Sequence, residues 1–513
     1  MTPYLVSQPP ERQKHESFTT AEVAFRKLHD DLVADRRSDH ASVERTIQAR
    51  GTEVMRLLLE GWCNDRVASE RRDVTGADGI HRTHHRAAAR EVESLFGTVN
   101  VARDRAGTRY ADALVPGDGA LNLPKDRFTF GVRQRVAEEA LRGSFEAAAT
   151  TLAATTGAQV AKRQAEELTV AASTDFDMFY KDSCRWDNLL AVPTTALLVL
   201  TADGKGIVMR SEGLRPATRK AAEKASPKLK HRKSKGEKGN RKRMATVAAV
   251  YFQEPTPRSA DDILGELDQT VVKPRARPKR KRVFASVKKT SRAVIGEAFE
   301  EAAQRDPRHR HRWIALVDGN SPQIADIQAA AVTEGVEVTL VLDFIHVTEY
   351  LWAAAWEFHE EGDPAVEEWV NKYLHMILDG RASTAAAAIR RSATIQKLKK
   401  RTSIDKAATY FINKKELMRY DEYLRDGLPI ATGVIEGACR YLVKDRMDIT
   451  GARWGLDGAE AVLRLRSIWA SGDLEEYWRF HQDLEFERNH VSQYAESEDD
   501  WLLNDDCLLK RAA

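Results

Sequence analysis

Between residues 312 and 351 the spacing of apolar positions changes character four times. Residues 313–317 are a continuous apolar run that stops at Asp318-Gly319-Asn320, which suits a strand buried on both faces. Ser321-Pro322 then suits a helix start, because serine accepts from free amides and proline lacks an amide that would need a partner. Ile324, Ile327 and Ala331 follow at helical spacing, and Val336, Val338 and Leu340 alternate as a second strand. That strand runs into Asp343-Phe344-Ile345-His346, after which Val347, Tyr350, Leu351, Ala354 and Phe358 line one side of a further helix. Strand, helix, strand, helix with an acid at each strand end predicts half of an α/β domain whose ligand site lies at the sheet edge.

Upstream, residues 194–200 form an apolar strand ending at Thr201-Ala202-Asp203-Gly204, with 206–210 expected to return as its hairpin partner. Residues 244–252 give a third strand and 286–303 a helix. Three strands, helix, strand, helix, strand, helix is the order of an RNase H-like domain, in which the first and fourth strands are neighbours. That topology brings Asp203 and Asp318 together. Downstream, 360–430 carries only helical periodicity. In 431–454, Val434, Ala438, Tyr441 and Leu442 make an apolar face while Glu436, Arg440 and Lys444 step by four along another. A helix returning here can present Glu436 to the two aspartates, and helices at 457–468 and 474–485 are expected to complete the fold.

The N-terminal part is patterned differently. Residues 1–16 read as disordered, and helices follow from Ser17 (Val23, Phe25, Leu28, Leu32) and Ser42 (Val43, Ile47, Val54, Leu58), either a dimerising pair or an ordinary packed hairpin. Residues 91–109 alternate around glycines as a small hairpin would, and 116–124 is a loop. Phe145, Ala149 and Leu152 lie on one helix and Val160, Gln164 and Leu168 on another, broken at Thr156-Gly157. This resembles a helix-turn-helix whose second helix presents Gln159, Lys162, Arg163 and Glu166 to a major groove. The expected fold is an α/β RNase H-like catalytic core with an all-α insertion before the last catalytic acid, plus a mainly α N-terminal DNA-binding region. Its expected parts are 1–90, 91–186, 187–358 with a basic insertion at 211–243, the all-α 359–430, the returning 431–495 and an acidic tail at 496–513.

Composition narrows the partners. Hydrophobic residues make up 42% and charged residues 31% of 513, enough for several folded domains. The longest apolar run, 189–200, is interrupted by Pro193 and is too short to cross a bilayer, and the N-terminus lacks the apolar stretch of a signal peptide. No membrane is expected, and a cytoplasmic location is. Cys63, Cys184, Cys439 and Cys507 are too dispersed for a thiol metal cluster or a disulfide framework. Net charge is only +3, yet 215–243 holds 13 Lys/Arg against Glu223 and Glu237, and 273–289 holds nine with no acid. The rest of the chain is therefore net acidic, and the asymmetry points to a polyanion. Lys228, Lys230, Arg232, Lys233, Arg241, Arg280 and Arg282 are candidate DNA contacts.

Three carboxylates at a sheet edge beside basic surfaces can hold two Mg²⁺ ions, or Mn²⁺ in their place, because these ions take hard oxygen ligands and few carboxylates each. Paired ions activate the attacking oxygen and stabilise the leaving one in phosphoryl displacement. Asp203, Asp318 and Glu436 are the candidate catalytic acids and metal ligands, with Asp343 competing for the second position because it also ends a strand. Asp343 and His346 form a separate Asp-x-x-His step that either packs structurally or touches the scissile phosphate as an active-site auxiliary. Arg440, Lys444 and Arg453 can meet phosphates, and Trp454 can hold an unstacked base.

ADGKG at 202–206, LVDGN at 316–320, LDFIHVTEYLW at 342–352 and the block from GVIEGACRYLVKDRM to TGARW at 433–454 resemble the ISKra-type insertion-sequence transposases of the DDE class, themselves similar to Mutator-like transposases. The resemblance covers most of the chain. It implies an RNase H-like core, a divalent metal, a triad at Asp203, Asp318 and Glu436, and a substrate contact for His346. It also implies transposon-end DNA and target DNA as partners and a homodimer or larger synaptic assembly. Relatives often carry cysteine pairs near the N-terminal hairpin; this chain has none there, so no zinc is expected and the hairpin's role stays open. The expected activity is cleavage of a phosphodiester to expose a 3′-hydroxyl and its joining to target DNA. The alternatives are an RNase H-like nuclease or resolvase without strand transfer, and a non-catalytic DNA-binding regulator.

Overall fold

Long-range contacts divide the chain into two units, Met1–Phe179 with Leu474–Ala513, and Tyr180–Asp473. The computed structural model describes residues 17–70, 72–181, 192–225, 229, 239–267, 276–449 and 451–495.

In the first unit α1 (Thr19–Ala34) packs along α2 (His40–Ser69), whose start is capped by Asp39 accepting from the Ser42 amide at 2.7 Å. Two short strands, β1 (Val74–Thr75) and β2 (His81–Arg82), precede an antiparallel sheet of β3 (His84–Ser94), β4 (Gly97–Thr108) and β5 (Ala111–Leu114). The β3–β4 hairpin extends back to His84 because HHRAAAR pairs through its backbone without any apolar alternation to announce it. A short α3 (Pro116–Ala120) occupies part of the expected loop. Helices α4 (Phe130–Arg142), α5 (Phe145–Thr155) and α6 (Lys162–Ala172) close around Val132, Val136, Leu152, Val160 and Leu168, and α7 (Phe176–Lys181) follows. The second helix starts at Lys162, so Gln159 and Val160, expected on it, lie in the connection that precedes it.

The second unit is a mixed α/β structure. Its sheet comprises β6 (Leu197–Val208), β7 (Lys242–Gln253), β8 (Lys279–Ser286), β9 (Arg312–Val317) and β10 (Val338–Leu342) in the spatial order β10-β9-β6-β7-β8. β7 runs antiparallel to β6 and β8, whereas β9 is parallel to both β6 and β10. Helices α8 (Pro216–Glu223) and α9 (Ala260–Leu267) lie in the connections between β6, β7 and β8, and α10 (Ser291–Arg305), α11 (Ser321–Glu334) and α12 (Phe344–Ala355) follow β8, β9 and β10. Then come four helices without a strand, α13 (Ala365–Leu378), α14 (Ala382–Ile395), α15 (Thr402–Lys414) and α16 (Tyr420–Arg425). The chain returns through α17 (Gly433–Ala438), which continues into a π-helical turn at Cys439–Lys444, and through α18 (Leu456–Ser471).

Two expectations about strands need correction. Residues 201–206 do not turn: β6 is unbroken and pairs with β7 along its whole length. A side chain on Gly204 would meet Met244 Cε at 3.2 Å and one on Gly206 would meet Lys242 Cδ at 2.9 Å, so these glycines admit side chains from β7 over an extended strand. The third strand instead comes from the second basic segment. In KRKRVFAS the apolar half carries Arg282 into the core, where it meets Glu301 and lies 3.6 Å from the Tyr180 ring centroid.

Helix α19 (Leu474–Asn489) belongs to the first unit rather than to the core it was expected to complete. Its Tyr477 hydroxyl donates to the Ala172 carbonyl at 2.6 Å, and buried Asp175 is held by His481 at 2.6 Å and Arg488 at 2.7 Å.

Candidate active site at the parallel sheet edge

The pairing register sets three aspartates side by side. Thr201 lies opposite Leu316, so two residues further on Asp203 and Asp318 reach the same level. Leu342 lies opposite Val317, and the Asp343 amide donates to the Val317 carbonyl at 2.8 Å, so Asp343 continues the row. Asp203 is inside β6 rather than at its end. It lies just past the last β6–β9 pair, where its carboxylate clears the parallel neighbour.

The three acids differ in environment. Asp343 is fully buried and saturated: it accepts from the Ile345 amide at 3.0 Å, from the Thr432 amide at 3.3 Å and from the Thr432 hydroxyl. It therefore caps α12 and also ties down the residue that precedes α17. Asp203 and Asp318 are half-buried. Asp203 accepts from the Gly204 amide at 2.6 Å and from the Cys439 thiol at 3.3 Å, and Asp318 accepts from the Asn320 amide at 2.8 Å.

Glu436 lies on α17 between two fastenings, Thr432 to Asp343 and Cys439 to Asp203. Its carboxyl is pushed above the ordinary range by burial first, then by Asp343, Glu349 and Asp203, with His346 offsetting part of this. The π-helical turn begins at Cys439, so the regular four-residue step expected from Glu436 to Lys444 is broken there. His346 Nδ1 lies 3.5 Å from the Asp343 carboxylate, at the outer limit of a hydrogen bond between them. The Asp343 contact raises it to about 9 against the effect of burial, with further support from Glu349 and Asp318.

Two residues of the site had no clear signal. Tyr410, from the helical insertion, donates to the Asp318 carbonyl at 2.9 Å and stacks on Tyr350 with ring centroids 4.1 Å apart. Its hydroxyl would be 2.6 Å from a side chain at Gly319, which also has φ +91°, so only glycine fits there. Cys439 is a thiol pushed upward by burial and by Asp203, hence a neutral donor to that carboxylate.

The donor set suits a hard divalent cation: every candidate ligand atom is a carboxylate oxygen, and Glu436, raised first by burial, is raised further by neighbouring acids whose charge a cation would offset. Among the described residues, no group of three or more His, Cys, Asp or Glu is drawn around a common point.

The expected DNA contacts divide into three sets. Lys162 and Arg163 are exposed at the start of α6 and Gln159 is exposed in the connection before it, with Lys162 2.9 Å from Glu146 and Arg163 2.9 Å from Glu167. Such surface pairs contribute little and can yield to phosphate. Arg241, Arg280, Arg440, Lys444 and Arg453 are also exposed. Arg282 and Trp454 are turned inward and are corrected to structural roles. Burial lowers Arg282 to about 10 beside Glu301, while Trp454 donates to the Met447 carbonyl at 3.1 Å with Arg446 over its ring. Lys228, Lys230, Arg232 and Lys233 lie outside the described residues, as do Cys184, Cys507, residues 1–16 and the acidic tail. No protein-family model matches the chain, and no curated protein matches it.

Proposed function

We propose that this protein is an RNase H-like DNA transposase of the DDE class that cuts a phosphodiester at its element's ends and joins the exposed 3′-hydroxyl to target DNA. The observation that carries the reading is the level placement of Asp203 and Asp318 on adjacent parallel strands, with the Glu436 helix fastened to the same edge at Thr432 and Cys439. The strand order β10-β9-β6-β7-β8 and the four-helix insertion before Glu436 support it, because that is the arrangement the sequence resemblance implies.

Mg²⁺, or Mn²⁺ in its place, held by Asp203, Asp318 and Glu436 would activate the attacking oxygen and stabilise the leaving one. The chain's own residues position these acids. Cys439 orients the Asp203 carboxylate, Tyr410 fixes the backbone at Asp318, and Asp343 anchors both the start of α17 and His346. His346 carries positive charge at neutral pH and can meet a phosphate at this edge. The exposed start of α6 would read the inverted ends, and the remaining exposed cations would hold backbone. A homodimer or larger assembly, bringing two ends together in the cytoplasm, belongs to the same proposal. Among the described residues no helix is long and apolar enough to cross a membrane.

The test is excision and integration of a marker flanked by the DNA that borders this gene, comparing wild type with Glu436→Gln. Movement with wild type alone is expected. Equal movement by both removes Glu436 from the chemistry, and cleavage without joining reassigns the protein as a nuclease or resolvase.

A further inference from the structure

The N-terminal hairpin, which the proposed reading leaves without a task, carries an unusual cross-strand pair. Arg86 on β3 lies directly opposite Arg105 on β4, and both are exposed. Like charges in that position destabilise a sheet. Ala88 opposite Arg103 and Arg90 opposite Val101 continue the same face by the two-residue period of strands. One face of the hairpin therefore bears Arg86, Arg90, Arg103 and Arg105.

The carboxylate present does not balance them. Asp118 accepts from Arg103 and, at 3.4 Å, from Arg90. Arg90 also donates to the Pro124 carbonyl at 2.6 Å, so it is fixed in place rather than free to swing into solvent. Among the described residues no carboxylate pairs with Arg86 or Arg105. Arg90, Arg103, Arg105 and Lys125 line a cavity of about 270 Å³, and Arg86 extends the row beyond it. Burial lowers Arg90; Asp118 and, more weakly, Asp126 oppose this, while the neighbouring Arg103 charge adds to it.

We propose that this face of the β3–β4 hairpin is a binding site for the phosphates of duplex DNA, with Arg90 and Arg103 fixed in the cavity and Arg86 and Arg105 meeting the backbone beyond it. A row favours a chain of phosphates over a single one: Arg103 and Arg105 are two residues apart on one strand, a step of about 7 Å. Arginine's planar fork suits such contacts. The site rests on the proposed transposase reading for its partner but not for its chemistry, since it needs neither the acids nor a metal.

The experiment measures the affinity of the full chain for a labelled duplex of unrelated sequence across a salt series, without divalent metal. Arg86→Gln/Arg105→Gln is compared with Arg36→Gln/Arg37→Gln, which removes the same charge from an exposed loop. Each lost phosphate contact lowers the slope of log affinity against log salt by about 0.9. The hairpin variant should therefore lose roughly tenfold less affinity than wild type between about 50 and 200 mM salt. The loop variant should match wild type. The hairpin variant's melting temperature should stay level or rise, because the facing charges are removed, so a folding failure cannot imitate the result. An unchanged slope with normal wild-type binding overturns this site and leaves the transposase reading standing. No duplex binding by wild type at low salt overturns both. Displacement of duplex from wild type but not from the hairpin variant by millimolar inorganic phosphate would identify a single-phosphate pocket and overturn the backbone assignment.

Discussion

Thr432→Val tests whether the buried Asp343 carboxylate holds the Glu436 helix in place. Valine keeps the shape of threonine and the buried residue's packing, but removes the hydroxyl that donates to Asp343. Asp343 would retain the Ile345 and Thr432 amides and the His346 contact. A hydrogen bond to a charged group contributes about 1.5–3 kcal/mol, and leaving a buried carboxylate short of a donor lies toward the upper part of that range. The expected loss is about 2.5 kcal/mol, a large share of the roughly 5–15 kcal/mol that stabilises an ordinary domain. Urea unfolding followed by tryptophan fluorescence would read it as a lower midpoint with an unchanged slope. Thr432→Ser keeps the donor and should recover most of the loss. Under the proposed function, DNA cleavage should fall at least tenfold in the valine variant, since about 1.4 kcal/mol of lost positioning in the transition state has that effect. A valine variant as stable as wild type, or a serine variant as weak as valine, would refute the reasoning.

Two further predictions concern pH. Burial would raise Asp175, but Arg488 and His481 outweigh it and hold the carboxyl at about 2. Because the folded value is depressed, this stability is complete above about pH 4 and is lost as pH falls toward 2; it amounts to roughly 2.5 kcal/mol, and Asp175→Asn should remove that acid transition from an unfolding series. His346 has the opposite sign: raised to about 9 chiefly by Asp343, its contribution is complete below the unfolded value near 6.5 and is lost as pH rises through 9. An NMR titration should place the His346 transition near 9 in wild type and well below that in Asp343→Asn; the same midpoint in both would remove Asp343 as the cause.

The parallel part of the site was legible because its signals are local. Unbroken apolar runs followed by Asp-Gly or Asp-Phe mark strand ends, and Pro322 marks the first turn of α11, although the residue that caps it is Asn320 rather than the expected Ser321. The same local logic misread Asp203-Gly204-Lys205-Gly206 as a turn, since its glycines answer to β7 side chains recruited from across a basic connection. It also treated Lys279–Ser286 as a charged tract, because Arg282 becomes a core residue only once Glu301 and Tyr180 are beside it. Cys439, Tyr410 and Thr432 meet their partners across 236, 92 and 89 residues, and no spacing rule reaches that far. The π-helical turn changes which residues on the Glu436 helix share a face, yet its apolar pattern still reads as an ordinary α-helix.

The joining of α19 to the first unit has a consequence for how the protein is made. Asp175 leaves the ribosome long before its partners: His481 follows 306 residues later and Arg488 after 313. At about 5–20 residues per second, that carboxylate waits roughly 15–60 seconds for the groups that make its burial tolerable. Until then the N-terminal helices have an unneutralised acid where their core should close. A chain cut short by premature termination never acquires these partners, so translation must pass α19 before the first unit can close.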